Sequence, residues 1–140
     1  MDVVNTGDTA WVLASAALVL FMTPALAIFY GGMVRAKNML GMLMQNFFAM
    51  GLMAILWVTI AFSLAFGNFG DGGFIGNLDF AWMRNINATT GSEAFALTIP
   101  FVLFCAYQMT FAVITPALIT GATADRFKFK AYAIFIALWL

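Results

Sequence analysis

The chain has 140 residues, of which 64% are hydrophobic and 9% are charged, and its formal net charge is +0. An average soluble domain is about 45–50% apolar and about 25% charged, so this composition excludes an ordinary soluble protein and predicts an integral membrane protein. The charge balance gives no indication of nucleic-acid binding, and the absence of histidine removes the commonest transition-metal ligand.

The first predicted element is a transmembrane helix over about residues 9–34. This run of 26 residues contains no Asp, Glu, Lys or Arg, and at about 1.5 Å per residue it exceeds the roughly 30 Å of a hydrocarbon core. Acidic residues, Asp2 and Asp8, precede it, so we interpret it as a retained helix rather than a signal peptide. Two cations in residues 35–38 follow, which predicts a cytoplasmic loop there and an N-terminus outside the cell.

The second predicted element is a helix over about residues 39–66, which returns the chain to the outside. Residues 67–93 are rich in glycine and asparagine, which favour turns, and they predict an external loop. The acidic residues Asp71, Asp79 and Glu93 outnumber the cations in this loop. Either an acidic vestibule that concentrates cations or a simply solvated loop is compatible with that charge.

The third predicted helix covers about residues 94–121 and carries an unusual row of aromatic residues. Phe104, Tyr107 and Phe111 are spaced at i, i+3 and i+7, so they share one face of a helix. Such a face either packs against neighbouring helices or forms a station for a desolvated cation, which aromatic rings attract by roughly 0.5–2 kcal/mol. The spacing alone does not separate these two hypotheses.

A second basic cluster, residues 125–130, follows the third helix and is predicted to be cytoplasmic both by its charge and by alternation. A fourth apolar run occupies residues 131–140 and is too short to span a membrane, so we expect an incomplete helix there. The sequence contains no nucleophile–base pair, metal-ligand cluster or phosphate-binding loop, which predicts a protein that is not an enzyme and uses no cofactor or metal.

Several short motifs of one membrane-protein family occur in order along the chain. They are Phe29–Asn38 at the end of the first helix, Trp57 and Ser63–Gly67 in the second, Tyr107–Ala112 in the third and Gly121–Arg126 after it. On these motifs the chain resembles the N-terminal part of a member of the ammonium transporter family (Amt/Mep/Rh).

The resemblance implies an all-α polytopic membrane protein with the first three transmembrane helices, and part of a fourth, of an eleven-helix fold. It also implies transport, in which an ammonium cation is recruited at an outer aromatic site, deprotonated and conducted through an apolar pore. By matching position, Phe111 and Tyr107 would form the recruitment site and gate, and Phe29 and Leu118 would line the pore. The pore histidines and the remaining site residues of that family belong to later helices.

The same resemblance implies a homotrimer in the plasma membrane, with ammonium or ammonia as ligand and a PII-type regulatory protein as a partner at the cytoplasmic face. Two alternatives remain open at this point. The chain could be the membrane part of an ammonium sensor, which would carry an appended cytoplasmic signalling domain, or a truncated segment that does not transport. Three and a fraction helices are not expected to enclose a pore by themselves.

Overall fold

The computed structural model describes residues 4–68, 73–89, 92, 94–96 and 98–140, and regular structure in these ranges is helical apart from one isolated bridge between Ser92 and Ala96. Three helical segments are long and apolar enough to cross a membrane: Thr6–Met33, Ala36–Phe66 and Phe101–Thr123. The prediction of an all-α membrane protein is therefore confirmed. Acidic residues expected outside the membrane, Asp2, Asp71 and Glu93, lie outside the described residues.

Helix α1, Thr6–Met33, begins three positions before the uncharged run because Asn5 caps it. The Asn5 side-chain oxygen accepts hydrogen bonds from the backbone N–H groups of Gly7 and Asp8, at 2.8 and 3.2 Å. These two donors would otherwise have no partner inside the helix. The helix continues through Pro24 and is followed by a short 3₁₀ turn, Ala36–Asn38.

The second spanning segment is not one regular α-helix. After the 3₁₀ turn Ala36–Asn38 it consists of α2, Met39–Leu56, a π-helical turn, Trp57–Ala61, and α3, Phe62–Phe66. A π turn accommodates an extra residue and changes the register of the side chains that follow. The predicted range of 39–66 contained no signal for this turn, because the apolar run continues through it unchanged.

The loop after α3 folds back onto the end of that helix. The Ser63 hydroxyl donates to the Asn77 carbonyl at 2.8 Å and accepts from the Phe80 backbone N–H at 2.9 Å. Gly76 donates its N–H to the Leu64 carbonyl at 2.8 Å. A Cβ atom at Gly76 would lie 2.6 Å from the Ser63 carbonyl oxygen, so this close approach requires glycine.

Helix α4, Phe101–Thr123, begins later than the predicted start at residue 94, and this part of the prediction is wrong. The reason is Pro100, which disfavours the α conformation for the residue before it and whose carbonyl accepts the first helical hydrogen bonds, from Leu103 and Phe104. Helix α5, Phe129–Trp139, begins two residues before the predicted position, directly after the extended residue Lys128.

The chain divides into two compact units, and helices α1 and α4 contribute to both. The first comprises the described residues of Met1–Ala17 and Leu56–Met109. Its interior is an aromatic cluster, which we define as the seven residues that contact one another ring to ring: Trp57, Phe62, Phe66, Phe80, Phe95, Phe101 and Phe104. Phe62 and Phe101 are almost fully buried at the centre of this cluster.

The second unit comprises Leu18–Ile55 and Thr110–Leu140. Its interior is apolar except for a few polar side chains, of which Asn46 and Thr120 are fully buried and joined by a hydrogen bond of 3.2 Å between α2 and α4. Buried Tyr132 of α5 donates its hydroxyl to the Pro116 carbonyl of α4 at 3.1 Å. Hydrogen bonds of this kind join helices where no water is available to satisfy polar groups.

Candidate functional site

Phe111 and Leu118 lie on the exposed face of α4 in the second unit. Their side chains are 41% and 49% exposed, whereas Val113, Ile114 and Ala117 on the opposite side of the helix are buried. The two exposed residues are seven positions apart, which places them two turns apart on one face. This face is therefore not part of the interior of the second unit.

Phe104, by contrast, belongs to the interior of the first unit. Its ring lies 5.2 Å from the ring of Phe66 in an edge-to-face arrangement and stacks against Phe95 and Phe101. The aromatic row proposed from the sequence thus separates into different environments. The environment of the Phe104 ring therefore agrees with the packing hypothesis.

Tyr107 lies one helical turn before Phe111 on α4 and belongs to the first unit. Its side chain is half-buried. Spacing of i, i+4 places the two aromatic residues on the same side of the helix. Helix α4 carries no Asp, Glu, Lys or Arg over its whole length, so a cation near these rings would meet aromatic faces and helix dipoles rather than a counter-ion on α4.

Phe29, the remaining predicted pore residue, is 60% exposed near the end of α1. Its neighbour Tyr30 makes the contact with α4 in the second unit: the Tyr30 hydroxyl donates to the Leu118 carbonyl at 3.3 Å. The Tyr30 ring rests over Gly121, where a Cβ atom would lie 2.8 Å from the ring carbon Cζ. The Tyr30 contact therefore brings the backbone of α1 at Phe29 close to the backbone of α4 at Leu118. The side chains of Phe29 and Leu118 remain exposed.

The two basic turns of the second unit, residues 35–38 and 125–130, lie at the same end of it. The Asn38 side-chain amide donates to the Asp125 carboxylate. Asp125 has a positive φ of 61°, a conformation that Asp tolerates better than most residues and that ends α4. A cavity of about 300 Å³ adjoins this hydrogen bond and is lined in part by Lys37 and Phe127.

Sequence reasoning gave no role to Asn46, which the structure places in the centre of the second unit. The buried residues of α2 are Met42, Asn46, Ala49 and Met53. They follow the 3–4 residue spacing of one helical face. A polar residue on the buried face of an apolar helix was the signal that could have identified it.

Residues 10–140 match the Ammonium Transporter Family. The chain belongs to this family. The resemblance inferred from the short motifs is confirmed, as is a multi-pass membrane location, on the strength of the family and of the three apolar spanning segments.

Individual relatives of the ammonium transporter family agree with this assignment. The chain is 45% identical to an ammonium transporter of Mycobacterium tuberculosis strain H37Rv over 99% of its own length and 32% of the relative. It is 43% identical to an ammonium transporter of Bacillus subtilis over 95% of its length and 32% of the relative. The chain thus spans about a third of the length of the curated relatives it matches.

Solved structures of the family show the same fold. Mep2 of Saccharomyces cerevisiae superposes with a TM-score of 0.83 at 31% identity, covering 97% of this chain and 30% of the yeast protein. Mep2 of Candida albicans superposes with a TM-score of 0.77 at 27% identity, covering 97% of this chain and 29% of that protein. The named relatives are transporters and not enzymes, which is compatible with the expectation that this chain is not an enzyme.

No group of three or more His, Cys, Asp or Glu residues that could hold a metal ion occurs in the part of the chain that the structure describes. Cys105, the only cysteine of the sequence, is buried and unpaired with another cysteine. Helix α4 thus carries aromatic rings, hydroxyl groups, the Gln108 amide and the Cys105 thiol, and no Asp, Glu, Lys or Arg.

Proposed function

We propose that this chain contributes the outer aromatic site and part of the apolar path of an ammonium transporter. The observation that carries the proposal is the exposed, uncharged face of α4, on which Phe111 and Leu118 point away from the interior of the second unit. In a chain of this family, such a face suits a path shared with further helices. Phe111 and Tyr107 receive the cation, and Phe29 and Leu118 line the path beyond it.

The physical chemistry of this face favours loss of a proton before conduction. Aromatic rings stabilise a partly desolvated monovalent cation by roughly 0.5–2 kcal/mol, which is enough to bind it and too little to trap it. Moving an ammonium-sized cation into an apolar environment costs far more than that, whereas neutral ammonia pays a much smaller desolvation cost. A path lined by Phe29 and Leu118 therefore conducts ammonia, and the proton leaves by another route.

Removal of the Phe111 ring tests this proposal. In the Phe111→Ala variant of the protein that carries this chain, we expect the apparent affinity for ammonium to fall by about 2- to 30-fold, as loss of one cation–aromatic contact implies. The measurement is the concentration dependence of ammonium-evoked current in proteoliposomes, normalised to reconstituted protein. Phe47→Ala is the matched control, because Phe47 of α2 belongs to the same unit and is 51% exposed.

Equal behaviour of the two variants would assign Phe111 to packing or to contact with lipid. A further comparison separates the ring from the hydroxyl at the second position. Tyr107→Phe keeps the aromatic face and is expected to change the apparent affinity less than Tyr107→Leu, which removes the face and keeps an apolar side chain.

Assembly, orientation and regulation belong to the same proposal. Only 17% of the most apolar stretch of α1 is buried, and we propose that lipid, further helices and a homotrimer interface cover the rest. The N-terminus lies outside the cell and the two basic turns lie in the cytoplasm, in keeping with the positive-inside bias. There the basic turns, joined by the bond between Asn38 and Asp125, are available to a PII-type regulatory protein.

A further inference from the structure

A cavity of the first unit combines aromatic rings with a carboxylate. It has a volume of about 530 Å³ and lies beyond the end of α3, where Phe66, Phe80, Phe95 and Asp79 are among its lining residues. We refer to these four residues as the cage. The described residues that line the cavity include no lysine or arginine, so the negative charge of Asp79 is not neutralised by a cation in its wall.

The rings of the cage are held in place by contacts within the first unit. The ring centroids of Phe66 and Phe95 are 5.4 Å apart and their planes are inclined by 84°, so they form two walls at nearly a right angle. Phe95 is fixed by the paired backbone hydrogen bonds between Ser92 and Ala96, at 2.8 and 2.9 Å. Its side chain is nevertheless 39% exposed, so part of its surface is free to meet a ligand.

The third ring and the carboxylate are adjacent in the sequence and are tied to α3. The Phe80 backbone N–H donates to the Ser63 hydroxyl at 2.9 Å, and Asn85 donates to the Asp79 carbonyl at 3.1 Å. The Asn77 side-chain amide donates to the Asp79 carboxylate. These hydrogen bonds hold the Asp79 carboxylate in a fixed orientation at the cavity.

On this geometry we propose that the cage binds a weakly hydrated monovalent cation of the ammonium type. Aromatic faces are negative at their centres and attract such cations, and a carboxylate at the rim adds a direct Coulomb attraction. A hard divalent cation is disfavoured, because it requires about six or more oxygen ligands, and most of this wall is carbon. The carboxylate equally disfavours an anionic lipid headgroup.

This inference deepens the proposed function, because the cage would be a loading station distinct from Phe111 and Tyr107. The inference depends on the proposed function in one respect, which is that the physiological cation is ammonium. Binding of a probe cation can be measured without transport, so the failure of one proposal is distinguishable from the failure of the other.

The test uses tetramethylammonium as the probe and saturation-transfer NMR with the purified protein in detergent micelles. For Asp79→Asn we expect the dissociation constant of tetramethylammonium to rise by about fivefold, as loss of one solvent-exposed Coulomb contact implies. This variant keeps a side-chain oxygen of the same shape, so Asn77 retains an acceptor. Asp125→Asn, at the basic turns of the second unit, is the charge-matched control and should leave binding unchanged.

A second pair of variants tests the aromatic walls. Phe95→Leu should weaken tetramethylammonium binding by about 2- to 30-fold, whereas Phe127→Leu, whose native ring is similarly exposed at 46%, should not. The neutral isostere tert-butanol should bind the native protein and the Asp79→Asn variant equally. In a Phe111→Ala background, Asp79→Asn should raise the dissociation constant of tetramethylammonium by the same factor as in the native protein, whether or not Phe111→Ala changes transport.

Three results would overturn the proposal. One is a dissociation constant of tetramethylammonium that changes by less than twofold in both the Asp79→Asn and the Phe95→Leu variants. Another is an equal loss in Asp125→Asn, which would mean that the cation responds only to total charge. The third is weakening by Phe95→Leu together with no effect of Asp79→Asn, which would mean that the cation contacts the ring alone and that the carboxylate takes no part in binding.

Discussion

At the scale of single residues, the contact between Tyr30 and Gly121 decides how closely α1 and α4 approach within the second unit. The Tyr30 ring occupies the space where a side chain at position 121 would lie, and the Tyr30 hydroxyl donates a hydrogen bond to the Leu118 carbonyl at 3.3 Å. Small residues at helix contacts allow backbones to pack closely in membranes, where van der Waals contact and hydrogen bonds replace the hydrophobic effect. The proposed pore residues Phe29 and Leu118 depend on this contact for their position.

Gly121→Ala should therefore destabilise the protein by about 1–3 kcal/mol, because the added methyl group forces the Tyr30 ring to move. The measurement is the free energy of unfolding in mixed micelles. Gly32→Ala is the matched control, since a Cβ atom there meets nothing within 4 Å. It should be neutral, or stabilise α1 by up to about 1 kcal/mol. Equal destabilisation by the two substitutions would contradict the packing role of Gly121.

At the scale of elements, the π-helical turn Trp57–Ala61 connects the second spanning segment to α4. The Trp57 indole N–H donates to the Cys105 carbonyl at 3.1 Å, and its ring packs edge to face against Phe62 and Phe66. A π turn lacks the regular hydrogen bonds of an α-helix and persists where tertiary contacts favour it. The indole bond and the aromatic cluster supply such contacts in the first unit.

Trp57→Phe keeps an aromatic ring and removes the donor, so we expect a loss of about 1–2 kcal/mol in the free energy of unfolding, from the hydrogen bond and the smaller ring together. Denaturant titration in micelles would measure it. Trp11→Phe is the control, because Trp11 of α1 is 75% exposed. A loss no larger than that of the control would show that the indole bond does not stabilise the turn.

At the scale of the whole molecule, the distribution of charge predicts the orientation in the membrane. Five of the six cations lie in the two basic turns and the sixth, Arg84, lies in the loop after α3. Each turn is at the end of a spanning segment, and the two are in direct contact through Asn38 and Asp125. The positive-inside bias predicts that this end lies in the cytoplasm.

Cysteine labelling of intact cells checks this orientation. The Ala88→Cys variant should react with a membrane-impermeant maleimide from outside, and the Lys128→Cys variant only after the cells are permeabilised. The native Cys105 is 1% exposed and serves as a low background. Labelling with the opposite dependence on permeabilisation would reverse the predicted topology.

The sequence by itself determined the fold class, the three spanning segments and the family. A charge inside a hydrocarbon core is so unfavourable that the spacing of Arg, Lys, Asp and Glu alone marks where the chain can cross. The family could be inferred because its motifs, from Phe29–Asn38 to Gly121–Arg126, are short continuous stretches that occur in order along the sequence. Pro100 is also a local signal for the later start of α4, although the uncharged run itself continues through it.

Only the tertiary structure decided which aromatic residues are buried. Phe104 and Phe111 have similar neighbours in the sequence, yet one lies in the aromatic cluster and the other is 41% exposed. The fold also joined Asn46 to Thr120 and closed the loop containing Asp79 over α3. These contacts depend on which surfaces of distant segments pack together. Hydrophobic periodicity predicts only which face of a single helix is apolar.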